Sequence, residues 1–376
     1  MATVAVLGSG IVGTAAAWDM SRRGHEVIVA DTSIAAAESA ARIAKASPQQ
    51  IDATAASELR TLLETVDLVV SGVPYWLGVA IATAAVETNT HYLDFGGNPA
   101  IVRRQLELDV AAAAAGLTIV LDCGLAPGMA NVLATDVVAA LGHTGIDELR
   151  IRVGALPVRP QGTLGYQLLF NPIGLINEYA EPCEVLHNGR CATEAPLTGI
   201  EHIEWDPYGP LEAFHTAGGS SSLPTVYEGR VQELDYKTLR FAGHALPFRA
   251  MLEVGLFSEE PQSGTGVAPR AVLLEALSEN LPKGDDDLVL VRVWARRGDD
   301  TAGYQIVDRS DEQFSALART TAYPTTALAD LILAGEMEPG ARSMGGAMTA
   351  KDLIAELEPV GIGIEEFNPQ PEPIAD

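Results

Sequence analysis

Positive charge, cysteine and long apolar runs are what this chain has least of. Only 24 of its 376 residues are Lys or Arg, against 50 Asp and Glu, for a formal net charge of −26. A field of that sign opposes binding to nucleic acid or to an anionic membrane surface. Lysine is scarcest: Lys45, Lys237, Lys283 and Lys351 are the whole set. Acids gather in segments that read as exposed, such as Gly284-Asp-Asp-Asp287, and either a salt-rich cytoplasm or a merely acidic surface accounts for them. Cys123, Cys183 and Cys191 are odd in number, scattered and without CxxC spacing, so neither a disulfide framework nor a metal site is expected, and a reducing cytoplasm fits. No apolar run reaches the roughly 18 residues of a membrane span, and Met1-Ala-Thr-Val passes directly into an apolar strand, so a spanning or secreted form is not expected.

Glycine, by contrast, is well placed. Val4-Ala-Val-Leu7 reads as a buried parallel strand, and Gly8-Ser-Gly10-Ile11-Val12-Gly13 follows it as a Gly-x-Gly-x-x-Gly turn into a helix. Gly8 allows the tight turn, Gly10 lets the backbone approach a pyrophosphate, and Gly13 lets the helix pack on the strand, with Ile11 and Val12 at the helix start. The next strand, Val27 to Ala30, ends at Asp31-Thr32. A carboxylate there accepts both ribose hydroxyls and repels a 2′-phosphate, which favours NAD over NADP. Three later strand ends should line up beside this loop: Val73-Pro74, Gly96 to Asn98, and Asp122-Cys123-Gly124-Leu125. Cys123 has no neighbouring histidine in its motif and is expected as part of the nicotinamide pocket.

The chain is long for one core, so two domains are expected. The fold class is α/β: a Rossmann domain over 1–130, then an α+β domain over 131–318 with a mixed or antiparallel sheet, helices over 319–362 returning to the first domain, and a tail over 363–376, disordered from Pro369. Leu149 to Val153, Tyr166 to Phe170 and Asp287 to Trp294 read as strands of the second sheet, and Pro324 to Ala334 as a helix. Between Glu201 and His244 polar and glycine residues concentrate beyond what packing requires. In a strand, Lys237 and Leu239 share one face while Tyr236, Thr238 and Arg240 share the other. Arg240 could clamp a carboxylate while Lys237 meets another part of the site; His215 is a candidate for proton transfer, as the side-chain type that ordinarily changes charge near neutral pH.

These motifs, in order, resemble the saccharopine dehydrogenase family, and within it the short L-lysine 6-dehydrogenase type. The resemblance rests on Gly8 to Gly13, Asp94-Phe-Gly-Gly-Asn98, Asp122 to Met129, Gly174-Leu-Ile-Asn-Glu-Tyr179, Leu211 to Gly219, and Tyr236 to Arg240 through Gly243-His244. It implies a second domain like that of saccharopine reductase, a homodimer, and nicotinamide-dependent chemistry at a carbon–nitrogen bond. It further implies Arg240 on the substrate α-carboxylate, Glu178 on a substrate ammonium, Asn171, Tyr179, Thr216 and His244 as supporting contacts, and Lys237 or His215 as the proton-transfer group. The activity expected is NAD-dependent oxidation of the side-chain amine of L-lysine to the semialdehyde with release of ammonia. The alternatives are formation or cleavage of a secondary amine of the saccharopine type, and a non-catalytic NAD-binding sensor.

Overall fold

The computed structural model describes residues 1–284 and 286–369, so Asp285 and most of the expected disordered tail lie outside the described residues. In the first stretch, strands and helices alternate: β1 (Thr3–Leu7), α1 (Ile11–Arg22), β2 (Glu26–Asp31), α2 (Ile34–Ala44), β3 (Ser47–Gln50), α3 (Ala56–Leu63), β4 (Leu68–Ser71), α4 (Gly78–Glu87), β5 (His91–Asp94), α5 (Pro99–Leu106), α6 (Asp109–Ala114), β6 (Thr118–Leu121) and α7 (Met129–Ala140). The middle of the chain is richer in strand: β7 (Ile146–Pro157), α8 (Pro172–Ala180), β8 (Cys183–His187), β9 (Arg190–Glu194), β10 (Glu201–Trp205), β11 (Gly209–His215), α9 (Leu223–Tyr227), β12 (Val231–Phe241), α10 (Ala245–Glu253), α11 (Pro269–Asn280), β13 (Asp287–Arg297) and β14 (Asp300–Arg309). The last elements are α12 (Ala316–Leu333), β15 (Gly340–Ser343), α13 (Ala350–Leu357) and β16 (Ile364–Glu366).

Two compact units result. The first comprises Met1–Asp136 and Ala318–Gly363; the second comprises Val137–Leu317 and the residues from Ile364 onward. The first unit holds a seven-stranded parallel sheet in the order β15-β6-β5-β4-β1-β2-β3, with β1 between β2 and β4. The central strands β1, β4, β5 and β6 are short, mainly apolar runs buried on both faces, which is what helices on both sides of a parallel sheet require, whereas the edge strand β3 is polar and largely exposed. Residues 318–363 contribute helices and also β15, which adds parallel to β6 and was not legible in the sequence. The second unit holds a mixed sheet in which the path β10-β11-β12-β7-β13-β14-β16 has β12 and β7 parallel, and β8 and β9 hang from β12. No helix among the described residues is long and apolar enough to cross a membrane.

Four expectations are corrected. Tyr166 to Phe170 is not a strand. Gly165 stands at positive φ just before it, and the segment is held by single bonds such as Leu168 N–H to Pro282 C=O and the Gln167 amide to Gly284 C=O, not by a ladder. The tail expected from 363 begins with β16, whose Ile364 pairs with Ile306 of β14. Helix α12 starts at Ala316, before Pro324, because the Asp287 carboxylate accepts the amides of Ala316 and Leu317 at 2.5 and 3.0 Å. That same Asp287, expected on an exposed acidic run, is fully buried, and burial pushes its pKa up to about 6.

Candidate functional site

In the first unit the glycine turn is shaped from within. A Cβ on Gly13 would stand 2.0 Å from the Gly8 carbonyl oxygen, so only glycine lets α1 close on β1. Gly10, in contrast, has nothing within 4 Å of where a Cβ would be, and it caps α1 with no side chain. Unused amides at a helix N-terminus facing open space fit the pyrophosphate of a dinucleotide. Asp31, at the end of β2, accepts the Ser9 amide at 2.9 Å and the Ser9 hydroxyl at 2.7 Å with one oxygen and the Ser33 amide at 2.9 Å with the other. Burial pushes its pKa up, but bonds from Ser33 and Ser9 outweigh this, so the carboxylate sits below its ordinary range. Ile11 and Thr32 are exposed beside this loop, and Val12 is half-buried.

The ends of β4, β5 and β6 follow in sheet order from β1. A cavity of about 110 Å³ opens between the first two, lined among others by Val73, Gly96 and Asn98. Pro74 precedes the short helical turn at Tyr75, and Asn98 also caps α5. Asp94, not foreseen as a site residue, organises these turns by accepting the amides of Gly96 and Asp122 with one oxygen and the Tyr92 hydroxyl and Gln105 amide with the other. Asp122 and Leu125 are buried in the β6 exit, where Gly124 bridges to Gly128. Cys123 is corrected as a pocket residue: its thiol is fully buried, donates to the Val120 carbonyl, and is pushed well above its ordinary pKa by burial.

In the second unit, β12 carries two different sets of side chains on its two faces, and each is buried. One face holds Tyr236, Thr238 and Arg240. The Arg240 guanidinium lies 5.1 Å from the centre of the Tyr166 ring, donates from Nε to the Tyr179 hydroxyl at 3.1 Å, and donates from Nη1 to the Leu239 carbonyl at 2.9 Å. The rest of its fork bonds to nothing among the described residues. Tyr179 in turn contacts His244 Nε2 at 2.9 Å, and His244 is packed among Tyr166, Tyr179, Phe214 and Phe248. Glu178, next to Tyr179 on α8, is enclosed by protein yet keeps accessible surface, and its carboxylate has no hydrogen bond or ion pair among the described residues. Burial raises its pKa to about 7, with the nearby Arg240 charge acting against the rise. Burial also raises the Tyr166 phenol to about 12, and that hydroxyl has no well-aligned partner, the Leu169 amide only approaching it. Thr216 joins this face through a 2.7 Å bond to Thr238. Asn171 does not: it is exposed, and its side chain accepts the Ile173 amide as the cap of α8.

The opposite face of β12 takes Lys237, and here the sequence expectation is corrected. Register places His215, Lys237 and Arg152 in one row across β11, β12 and β7. Lys237 Nζ bonds Glu201 at 2.5 Å and the Gly199 carbonyl at 2.7 Å, while Arg152 pairs with Asp235 and Glu201 at 2.8 Å each. His215 lies 3.7 Å from Asp235 and 3.4 Å from the Thr198 hydroxyl. Lys237 and His215 therefore belong to a buried ion network on the far side of the sheet from Arg240 and Glu178, and neither is placed to move a substrate proton there. The network is maintained by charge: burial pushes the Asp235 pKa up, but Arg152, Arg150 and the bond from His215 together outweigh it, so the carboxylate lies well below its ordinary range. Removing one partner leaves buried charge uncompensated, so Lys237→Met should cost about 1–3 kcal/mol of stability, discounted because Glu201 is partly exposed. Chemical denaturation would measure that loss, and kcat should change less than about threefold, the residue having no contact with the Arg240 face.

Comparison with known proteins adds a second line of argument. The model of the saccharopine dehydrogenase NADP binding domain matches residues 4–120, and that of the saccharopine dehydrogenase C-terminal domain matches residues 124–362. The chain belongs to the saccharopine dehydrogenase family. That is a family of nicotinamide-dependent oxidoreductases, and the glycine loop of the first unit lies within its nucleotide-binding domain. Among curated relatives, the mouse mitochondrial alpha-aminoadipic semialdehyde synthase is 24% identical over 220 residues, 54% of this chain and 23% of that protein. Saccharopine dehydrogenase [NADP(+), L-glutamate-forming] of Pyricularia oryzae is 26% identical over 272 residues, 69% of this chain and 59% of that protein. The chain thus spans about a quarter of the first relative's length and about three fifths of the second's. The saccharopine dehydrogenase (L-Glu forming) of Saccharomyces cerevisiae has the same fold, with a TM-score of 0.79 at 17% identity over 98% of this chain and 100% of that one.

Proposed function

We propose that this member of the saccharopine dehydrogenase family is an NAD-dependent amino-acid dehydrogenase that oxidises the side-chain amine of L-lysine, the imine being hydrolysed to the semialdehyde with release of ammonia. The observation that carries the reading is the pairing of one open guanidinium, Arg240, with one unpartnered carboxylate, Glu178, on a single sheet face. A diamino monocarboxylic acid offers the complement of that pair. A substrate with a second amino-acid half brings further carboxylates and calls for further cations. The other basic residues near in sequence are already engaged: Arg230 stacks on Tyr227, Arg249 pairs with Glu253, and Arg270 pairs with Glu259.

Within this reading the protein binds, orients and deprotonates. Arg240 holds the α-carboxylate through its open N–H groups, the bidentate geometry that a planar fork favours. Glu178, with a pKa near 7, takes a proton from the substrate ammonium, leaving a neutral amine whose carbon can release hydride. When bound, the oxidised nicotinamide supplies the hydride acceptor. The tyrosine rings around Arg240 keep its surroundings apolar, which strengthens both charge interactions.

NAD rather than NADP is supported by Asp31 and by the lack of Lys or Arg among the ten residues directly after it, Thr32 to Ala41. Asp31→Ser should raise the KM for NAD by about 10- to 100-fold, the loss of one or two hydrogen bonds to a charged acceptor, and narrow the preference over NADP. Parallel titrations with the two dinucleotides measure both. A second reading, oxidation of a secondary amine, is favoured by the name of the fungal relative. Spectrophotometric assay of NADH formation with lysine, ornithine and saccharopine separates the two. Turnover with lysine and ammonia release support the proposal; turnover with saccharopine alone transfers the assignment to the second reading.

A further inference from the structure

A single line of hydrogen bonds runs through four segments and ends at the Arg240 guanidinium. Arg240 Nε–H on β12 donates to the Tyr179 hydroxyl on α8 at 3.1 Å, Tyr179 meets His244 Nε2 at 2.9 Å, and His244 Nδ1 meets the Leu164 carbonyl at 2.8 Å. A carbonyl only accepts, so Nδ1 carries the proton. Burial and the Arg240 charge push the His244 pKa down to about 3, so the ring is neutral and its Nε2 only accepts. Tyr179 must then give its one proton to His244 while its oxygen accepts from Arg240. The direction of every bond in the line is fixed by the one at its end.

We propose that Tyr179 and His244 are positioning residues that do not contact the substrate: their relay, anchored at Leu164, fixes the Arg240 guanidinium so that its terminal nitrogens face the carboxylate of an amino acid. The proposal rests on the amino-acid reading above and changes the role that the family resemblance implies for these two residues. Both nitrogens of His244 are occupied, the Tyr179 proton is spent, and the ring of His244 is stacked between Phe214 and Phe248. The histidine is held from its backbone as well. It caps α10, and the adjoining Gly243 and Ala245 amides both donate to Glu212, at 3.0 and 2.6 Å. Register places Glu212 directly across from Arg240, so the strand pair that carries the guanidinium also seats the relay that orients it.

A residue that orients Arg240 matters only for ligands with a carboxylate. The test compares L-lysine with 1,5-diaminopentane, which keeps the amines and lacks the carboxylate, in steady-state kinetics and in calorimetric binding to the full-length protein. Tyr179→Phe should raise the KM and Kd for lysine about 10- to 100-fold, as expected for a buried hydrogen bond to a charged group, with kcat at saturation and the diamine constants within about threefold. His244→Phe should behave the same way. His244→Gln, whose amide oxygen can accept from Tyr179, should recover most of the lysine affinity. Equal losses for lysine and the diamine, or no loss for either, would overturn the proposal. Failure of the unsubstituted protein to bind or turn over either amine would instead remove the amino-acid reading itself, and this proposal with it.

Discussion

Replacing Arg240 by methionine should lower kcat/KM for L-lysine by about 10²- to 10⁴-fold, the equivalent of about 3–5 kcal/mol for removing one side of a buried, hydrogen-bonded charge pair. The loss has three sources that act together. The substrate carboxylate is left without its fork, the Tyr179 hydroxyl loses the donor at 3.1 Å, and Glu178 loses the positive neighbour that opposes its rise in pKa. The third source makes the effect depend on pH. With the guanidinium gone, Glu178 should ionise at higher pH than in the unsubstituted protein, so part of the lost rate returns as the solution becomes alkaline. Arg240→Lys keeps a positive charge and should recover less than about tenfold, because an ammonium offers no planar fork. Full pH profiles of kcat/KM for the two variants measure both effects. A methionine variant that turns over lysine at the normal rate would remove Arg240 from the substrate site.

The two units were unequally legible. In the first, each signal is local. The Gly8–Gly13 turn, the Asp31 carboxylate and the strand ends lie within a few residues of the elements that place them, and parallel strands buried on both faces appear as continuous apolar runs. What escaped there depends on distance along the chain: β15 pairs with β6 from more than 200 residues away, and nothing in Gly340 to Ser343 marks a strand. In the second unit a period of two correctly put Lys237 and Arg240 on opposite faces, but it carries no sign of which face leaves its charged groups unpaired. That is decided by partners far along the chain, Glu201 and Asp235 with Arg152 on one side, and Glu178, Tyr179 and Tyr166 on the other. Tyr166 went unnoticed because its segment, rich in aromatic and apolar residues, reads as a strand while the backbone around Gly165 turns it into a buried loop. The family resemblance implied proton transfer for Lys237, whereas its buried partners Glu201 and the Gly199 carbonyl give it a structural role.

Glu178, the acid beside Arg240, leads to the second large effect. Glu178→Gln should lower kcat/KM by about 10²- to 10⁴-fold, the usual contribution of a positioned base, and should abolish the rise of activity with pH that is expected near the pKa of about 7. The same substitution should make the protein more stable. Burial raises the folded-state pKa of Glu178 from 4.5 to about 7, so the folded protein binds this proton more tightly than the unfolded chain does. Stability therefore falls as pH rises from about 4.5 through about 7, and above that the cost is complete, at about 3 kcal/mol for a shift of this size. Glutamine carries no such cost. The difference in unfolding free energy between variant and unsubstituted protein should be close to zero near pH 4, open across the same window, and reach its full value above about pH 8. His244 works in the opposite sense: its pKa is lowered from 6.5 to about 3, so the stability it contributes is lost as pH falls through that range, but it does so equally in both proteins and cancels in the comparison. Denaturant titrations across pH, paired with kinetics on lysine, test the two halves together. A variant that is inactive yet no more stable at alkaline pH would mean that the Glu178 carboxylate is already solvated in the free protein, leaving its basicity ordinary and the proton transfer to another group.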